Sequence, residues 1–169
     1  VVRPCILWND GRTEKQTAYL NEVVGKQTLS DLTGNIAFAG FTAPKLLWLR
    51  ENEPDNFAKA DKIMLPKDYL AYYLSGVVAT DYSDASGTLL LDVKNKRWSQ
   101  KMANVCGISL QNLPELHESY DVIGTVKSEI AARFGMSDVK VVIGAGDNAA
   151  AAIGTGTVND GDCNVSLGT

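Results

Sequence analysis

The sequence predicts a single globular domain of mixed α/β class. Segments with the helical spacing of apolar residues alternate with short β-branched runs, and neither an internal repeat nor a low-complexity tract interrupts them. The chain has 169 residues, of which 45% are hydrophobic and 21% are charged, and this length can bury a substantial core. We therefore expect helices and strands packed around one core.

Capping residues, glycines and prolines place the predicted elements in order along the chain. Ser, Thr or Pro begins a helix, and Gly or Pro ends it. The predicted helices cover residues 13–24 up to Gly25, 44–53 between Pro44 and Pro54, 66–75 between Pro66 and Gly76, 100–106 between Ser99 and Gly107, and 127–134 up to Gly135. The predicted strands cover residues 62–65, 77–80, 88–93 and 139–143, with a polar loop at 81–87, and residues 1–8 have the composition of a strand interior.

The most informative segment is 139–152, where a β-branched run meets a glycine turn and then an acidic residue. Residues 139–143 predict a buried strand, the glycines that follow predict a turn, and the alanines at 149–152 predict a helix. Asp147 is therefore expected at or near the helix N-cap, at the carboxyl end of a strand, where open α/β sheets bind their ligands. Two interpretations of Asp147 stay open, a residue that only caps the helix and a catalytic carboxylate.

Standard nucleotide-binding and triad motifs do not fit the sequence. A dinucleotide-binding fingerprint would need a third glycine at the position of Ala149, and Gly25-Lys26 is followed by Gln27 where a Walker loop has Ser or Thr. His117 is the only histidine and lies in a polar segment, which argues against a serine triad. A phosphate site in this chain would need another architecture.

Charge and cysteine content narrow the function classes further. A net charge of −4 and a pI near 5.0 give no long-range attraction to nucleic acid or to anionic membranes, so neither is an expected partner. No apolar run approaches the ~20 residues of a membrane span. The cysteines, Cys5, Cys106 and Cys163, have no metal-ligand spacing, so no metal site is predicted, and they indicate reduced, mostly buried thiols in a cytoplasmic protein.

Two further polar groups each allow two interpretations. Trp8, Asn9, Asp10 and Arg12 follow the first apolar run and could bind a polyol by stacking and hydrogen bonds, or could form an Asp–Arg pair that closes a turn. Asp81 and Asp84 could form a paired-carboxylate or metal site. Solvated turn residues are the better explanation for these two, because Asp and Ser are common in turns.

Both ends of the sequence indicate a piece of a larger protein. The chain begins without methionine in an apolar run, and it ends at residues 166–169, where a strand pattern runs into a small-residue turn. We expect the function of the whole protein to depend on more than this piece.

Several segments, in order along the whole chain, resemble the FGGY carbohydrate kinases. Residues 40–52 match the first signature of that family, in which a small residue, a hydroxyl, a lysine and a tryptophan recur at fixed intervals. Further matching segments are WNDGRT at 8–13, LPKDYLAYYLSG at 65–76, TDYSDASGT at 80–88, GAGDNAAAAIGTG at 144–156 and SLGT at 166–169. Within the family, these segments resemble the xylulokinases more than the kinases of glycerol, gluconate or ribulose.

The resemblance implies an actin-like ATPase domain of the ribonuclease H type, with a mixed sheet, flanking helices and truncation at both ends. Residues 1–165 would then be part of the N-terminal, sugar-binding lobe, and residues 166–169 would begin the second, ATP-binding lobe. The family pattern makes Asp147 the catalytic base and Asn148 a sugar contact. It also implies that Gly168 and Thr169 approach the ATP phosphates.

The implied reaction is the phosphorylation of D-xylulose at O5 by MgATP, which gives D-xylulose 5-phosphate and ADP. A carboxylate such as Asp147 can orient the attacking hydroxyl and accept its proton, which is what this chemistry needs from the protein. The family setting is cytoplasmic, ATP and Mg²⁺ would be bound mainly by parts outside this chain, and a homodimer is possible. The isolated piece is expected to be inactive.

Two alternatives stay open beside this reaction. One is an FGGY kinase for another sugar or polyol, such as ribulose, fuculose, gluconate or glycerol. The other is a non-catalytic sugar-binding or structural domain, in which Asp147 only caps a helix.

Overall fold

Capping side chains and left-handed glycines set helix boundaries in the computed structural model, which describes residues 1–165 and 167. Ser99 Oγ accepts the Met102 N–H at 3.4 Å and begins one helix, and Gly107, with a φ of 76°, ends it. Gly76, with a φ of 84°, ends another helix in the same way, because a residue without Cβ adopts left-handed backbone without strain. Both helix predictions are confirmed.

The helices of the described residues are mostly short. They are α1 (Glu14–Ala18), α2 (Lys26–Thr33), α3 (Thr42–Asn52), α4 (Pro54–Lys59), α5 (Pro66–Ser75), α6 (Tyr82–Ser86), α7 (Gln100–Cys106), α8 (Ser128–Arg133) and α9 (Asp147–Gly154). A π-helical stretch at Tyr19–Gly25 joins α1 to α2, and 3₁₀ turns lie at Gly11–Thr13 and Leu110–Asn112. No helix in this part of the chain is long and apolar enough to cross a membrane.

Gly25 was predicted to end the first helix, and it does interrupt the helical backbone. Its φ is 97°, outside the helical region, and α2 begins at the next residue. The helical region therefore continues to Thr33 and is longer than predicted.

The strands are short and pair in twos. They are β1 (Ala79–Asp81), β2 (Leu91–Asp92), β3 (Arg97–Trp98), β4 (Glu115–His117), β5 (Val122–Thr125) and β6 (Lys140–Val142). The pairing of β1 with β4 is parallel, whereas β2 with β3 and β5 with β6 are antiparallel. The mixed α/β class is confirmed, although the strands of the described residues form three two-stranded sheets instead of one continuous sheet.

Three of the predicted local structures were wrong. Residues 62–65 form no strand, although the Ile63 N–H donates to the Asn112 carbonyl at 2.9 Å. Residues 1–8, all of which the structure describes, contain no strand either. The predicted loop at 81–87 contains α6. Composition favours extended backbone at the first two segments, but a strand also needs a partner edge.

Two apolar clusters form the core. The larger cluster packs α2, α3 and α7 around the segment 89–90. Its largest buried side chains are Leu20, Leu29, Leu47, Leu89, Leu90 and Met102. The smaller cluster consists of Ala71, Ala79, Val141 and Ile143, which come from α5, β1 and the β6 segment. This second cluster holds the strand that leads to Asp147 against α5.

The β6 segment is buried on one face only. Val141 and Ile143 are buried, whereas Val139 and Val142 are exposed. The prediction of a buried strand therefore holds for one face only, because successive side chains of a strand point to opposite faces and only one face of β6 packs on the core.

The cysteines are less buried than predicted. All three are free, but only Cys106 is buried, in the larger core cluster, while Cys5 and Cys163 are exposed. Burial raises the pKa of the Cys106 thiol to about 12. A free thiol is buried wherever apolar neighbours surround it, and the sequence positions of the other two do not reveal that they lie outside the core.

Candidate active site

Asp147 is the first residue of α9 and is exposed. Gly146 occupies the N-cap position, and its carbonyl accepts the Ala150 N–H at 2.9 Å. Asp147 Oδ1 accepts the N–H of Asn148, the neighbouring exposed residue, at 2.8 Å. A carboxylate in the first turn of a helix is favoured by the helix dipole. The N-cap position itself therefore belongs to the glycine, and Asp147 presents its carboxylate to solvent.

The turn between β6 and α9 is anchored by backbone hydrogen bonds. The Gly144 N–H donates to the Ser119 carbonyl at 3.0 Å, and the Gly146 N–H donates to Ser83 Oγ at 2.9 Å. Gly144 has a φ of 76°, a left-handed conformation that favours glycine. The residue before the catalytic candidate is thus tied to α6, far away in sequence.

A lysine and three carboxylates lie directly beside this turn. Lys67 Nζ is 3.0 Å from Asp68 Oδ1, 3.1 Å from Asp81 Oδ1 and 3.7 Å from Asp84 Oδ2. Asp68 and Asp81 are almost completely buried, with 1% and 0% of their surface exposed. Lys67 Nζ also lies 3.5 Å from the Ile143 carbonyl, at the end of the β6 segment. The ammonium group compensates the charges of carboxylates that solvent barely reaches.

Asp81 is the centre of this network. Its Oδ2 accepts the Ser119 hydroxyl at 2.7 Å, the Ser83 N–H at 3.0 Å and the Ser83 hydroxyl, and its Oδ1 accepts the Asp84 N–H at 3.3 Å. Burial acts to raise the pKa of Asp81, but the hydrogen bonds from Ser83, Ser119 and Lys67 outweigh it and lower the pKa. Asp81 is therefore held as a carboxylate that caps α6.

The pKa values of Asp68 and Asp84 are raised, in contrast to the lowered pKa of Asp81. Burial raises the pKa of Asp68 despite the neighbouring Lys67 ammonium. Burial also raises the pKa of Asp84, and repulsion from Asp68, Asp81 and Asp147 adds to it. The backbone of Asp84 lies so close to Gly146 that a Cβ on that glycine would sit 3.4 Å from Asp84 Cα. Asp84 is therefore the member of the network whose backbone lies against the residue before Asp147.

The interpretation as a solvated turn residue was wrong for Asp81, which is buried, whereas Asp84 lies on α6 with 29% of its side chain exposed. Asp81 is buried because β1, which it ends, pairs with β4 and packs beneath the β6 turn. A sequence signal was present, because Asp81 and Asp84 have the three-residue spacing of a helix N-cap and its third residue. The metal-site alternative does not fit either, since Lys67 Nζ occupies the centre of the cluster.

Asp10 and Arg12 form the turn-closing pair that was one of the two interpretations. Asp10 accepts the Arg12 N–H at 3.0 Å and binds the guanidinium through both oxygens, with the shortest contact at 2.7 Å. The hydrogen bond from Arg12 lowers the pKa of Asp10 to about 2. The Arg12 guanidinium stacks 4.9 Å from the ring centre of Trp48, and Trp8 is 71% exposed. Sugar binding by these residues stays a prediction.

The two candidate sugar-binding groups, residues 8–12 and Asp147 with Asn148, contact different elements of the fold. The Trp8 carbonyl lies against Gly40, where a Cβ would come within 2.7 Å of it, and the Arg12 guanidinium packs on Trp48 of α3. Gly146, the residue before Asp147, instead contacts Ser83 and Asp84 of α6. Among the residues that the structure describes, no hydrogen bond or ion pair joins the two groups. Asn148 is the predicted sugar contact that lies next to Asp147, and Gly168 and Thr169, the predicted phosphate contacts, lie outside the described residues.

The sequence matches a known protein family. That match agrees with the mixed fold and with the strand, turn and helix around Asp147. The FGGY family of carbohydrate kinases, N-terminal domain, matches residues 1–154. This range is more than half of the chain and includes the Gly144 turn, Asp147 and all of α9. The chain therefore belongs to the FGGY family of carbohydrate kinases, and the resemblance noted in the sequence is confirmed.

Xylulose kinases are among the proteins that this chain resembles. The xylulose kinase of Lactococcus lactis subsp. lactis is 50% identical over 169 residues, which cover 99% of this chain and 34% of the relative. The solved structure of a xyloylose kinase from Brucella ovis is 44% identical, with a TM-score of 0.89, over 95% of this chain and 33% of that one. A glycerol kinase from Plasmodium falciparum, solved with ADP, is 27% identical with a TM-score of 0.86, over 96% and 33%. The chain spans about a third of the length of these proteins.

Proposed function

We propose that the full-length protein transfers the γ-phosphoryl group of ATP to O5 of D-xylulose and that Asp147 is the general base. In this reaction the O5 hydroxyl gives its proton to the Asp147 carboxylate as its oxygen attacks the γ-phosphorus. The bond from that phosphorus to ADP breaks, and D-xylulose 5-phosphate and ADP are released. Asn148, the next residue, is the sugar contact of this proposal.

The observation that carries the proposal is the exposed Asp147 carboxylate in the first turn of α9, directly after an anchored glycine turn. Phosphoryl transfer depends mainly on positioning and on compensation of charge, so a fixed carboxylate beside the sugar suffices on this side of the site. The name of the relative that is 50% identical supports xylulose as the sugar.

The other participants bind outside the residues that the structure describes. Within residues 1–165 and 167, no three His, Cys, Asp or Glu side chains are placed to hold a metal ion. In the Asp68–Asp81–Asp84 cluster, Lys67 Nζ already lies within 3.7 Å of all three carboxyl groups. Mg²⁺ would enter with ATP and be held by other parts of the full-length protein, and the 169-residue chain alone would have no kinase activity. Residues 1–165 would form part of the sugar-binding lobe.

The test is Asp147→Asn in the full-length protein. The amide keeps the shape of the side chain and loses its basicity, so kcat should fall roughly 10²- to 10⁴-fold while sugar binding survives. Asp55→Asn, which removes an exposed carboxylate from the first turn of α4, is the matched control and should keep the wild-type turnover. ADP release measures turnover, and a calorimetric titration with D-xylulose measures binding. Turnover within a few-fold of wild type would mean that Asp147 has only a structural role.

A kinase for another sugar or polyol is the second candidate. It is favoured by the glycerol kinase from Plasmodium falciparum, whose structure superposes with a TM-score of 0.86. ADP release across a panel of xylulose, ribulose, fuculose, gluconate and glycerol distinguishes the two, because the true substrate has the highest kcat/KM. A protein that binds a sugar from the panel without any ADP release would instead be a non-catalytic binding protein.

A further inference from the structure

The Ser83 hydroxyl connects the buried carboxylate network to the glycine turn at residues 144–146, which precedes Asp147. As a donor it binds Asp81 Oδ2, and as an acceptor it receives the Gly146 N–H at 2.9 Å. A hydroxyl has one proton to donate and lone pairs to accept, so it can make both bonds at once. Among the described residues, it is the side chain whose hydrogen bond reaches the backbone of the turn immediately before Asp147.

Asp81 fixes this hydroxyl from a buried position. Asp81 has 0% of its surface exposed and also holds Ser119, whose carbonyl accepts the Gly144 N–H at 3.0 Å. Both ends of the turn are therefore tied to residues that bind the same carboxylate. Because Gly146 is the N-cap of α9, its position sets where the helix begins and where Asp147 points.

We infer that Ser83 is a positioning residue for the proposed kinase reaction, which acts through the Gly146 backbone to hold Asp147 against the attacking hydroxyl. The inference rests on the proposed role of Asp147. Loss of the Ser83 hydroxyl leaves the Gly146 N–H without its acceptor, and the start of α9 can then shift. A displacement on the order of 1 Å between a base and its substrate can lower the rate about 10²-fold.

The experiment compares Ser83→Ala with Ser86→Ala in the full-length protein. Ser86 is on the same short helix, and its hydroxyl donates to the Ser83 carbonyl at 2.6 Å, so its loss perturbs α6 without removing a contact to the turn. We expect Ser83→Ala to lower kcat about 10- to 100-fold with an unchanged KM for D-xylulose. Ser86→Ala should keep the wild-type kcat, and Ser83→Thr, which retains the hydroxyl, should restore most of the activity.

A double-mutant cycle with Asp147→Asn separates positioning from a merely structural effect. If Ser83 acts through Asp147, Ser83→Ala should lower the residual rate of Asp147→Asn little or not at all. A Ser83→Ala variant with the kcat of Ser86→Ala would overturn the inference, and so would a full Ser83→Ala effect in the Asp147→Asn background. Should Ser83→Ala not fold, Ser83→Cys keeps the side-chain size with a weaker acceptor and is judged by the same measurements.

These results also separate the two proposals. If Asp147→Asn retains normal turnover, the proposed role of Asp147 fails, whatever Ser83 does. If Asp147→Asn loses turnover and neither Ser83→Ala nor Ser83→Cys changes kcat, only the positioning role fails.

Discussion

Replacing Asp81 with asparagine should destabilise the 169-residue chain substantially, because its carboxylate holds several elements together. Its two oxygens accept hydrogen bonds from α6 and Ser119, and Oδ1 also pairs with Lys67 Nζ at 3.1 Å. The amide nitrogen of asparagine cannot accept any of these bonds. The substitution therefore removes a charge and about half of the acceptors at a position with 0% of its surface exposed.

The magnitude follows from the bonds that are lost. A hydrogen bond to a charged group contributes about 1.5 to 3 kcal/mol, and breaking a buried ion pair costs about 3 to 5 kcal/mol. Lys67 keeps Asp68 at 3.0 Å and its side chain is 24% exposed, so the lower end applies. We expect a loss of about 3 kcal/mol in the free energy of unfolding. For a chain of this size the midpoint of thermal unfolding would fall by about 6 to 12 °C.

The pH dependence of the stability difference between wild type and Asp81→Asn is a second test of the same prediction. The folded-state pKa of Asp81 is lowered below the ordinary value of 3.8, so its stabilisation is present above that pH. It is lost as the pH falls through the folded-state pKa. The difference between wild type and Asp81→Asn should therefore be constant near neutral pH and should shrink below pH 3.8.

The assay is circular dichroism during urea and thermal unfolding of the wild-type and Asp81→Asn chains. Asp92→Asn is the control, because Asp92 caps a surface turn by accepting the Asn95 N–H at 3.2 Å and should change the midpoint much less. Equal midpoints for Asp81→Asn and Asp92→Asn would refute the reasoning. A difference from wild type that grows as the pH falls below 3.8 would contradict the lowered pKa.

Two further predictions concern the 169-residue chain in solution. A thiol reagent should modify Cys5 and Cys163 quickly and Cys106 only in denaturant, because burial raises the Cys106 pKa to about 12; rapid reaction of all three thiols in the folded chain would contradict this. Calorimetric titration with MgATP should show no saturable heat at millimolar ligand, since the chain has a net charge of −4 and spans about a third of its relatives. A micromolar dissociation constant would mean that the chain carries a nucleotide site of its own.

Features that depend on neighbouring residues were predictable from the sequence. Ser99, Gly76 and Gly107 mark helix ends that the structure confirms, because caps and left-handed glycines act within one turn of the helix. The succession of strand, glycine turn, Asp147 and helix was likewise predicted, and so was the FGGY family. What the local pattern left open was whether Asp147 or Gly146 would be the N-cap, since both are compatible with that position.

Features that depend on pairing between distant segments were decided only by the tertiary structure. Residues 62–65 have strand composition but no strand partner, and β6 buries one face because the core covers one side of it. Packing between distant segments also determines the charged network beside the Gly144 turn. Lys67 and Asp81 are 14 positions apart along the printed sequence, and their contact arises because α5 and β1 pack together beneath the Gly144 turn. Asp81 was expected at the surface, but it is buried and holds Ser83 and Ser119, which contact the turn. Charge and hydrogen bonding at a buried position depend on which segments surround it.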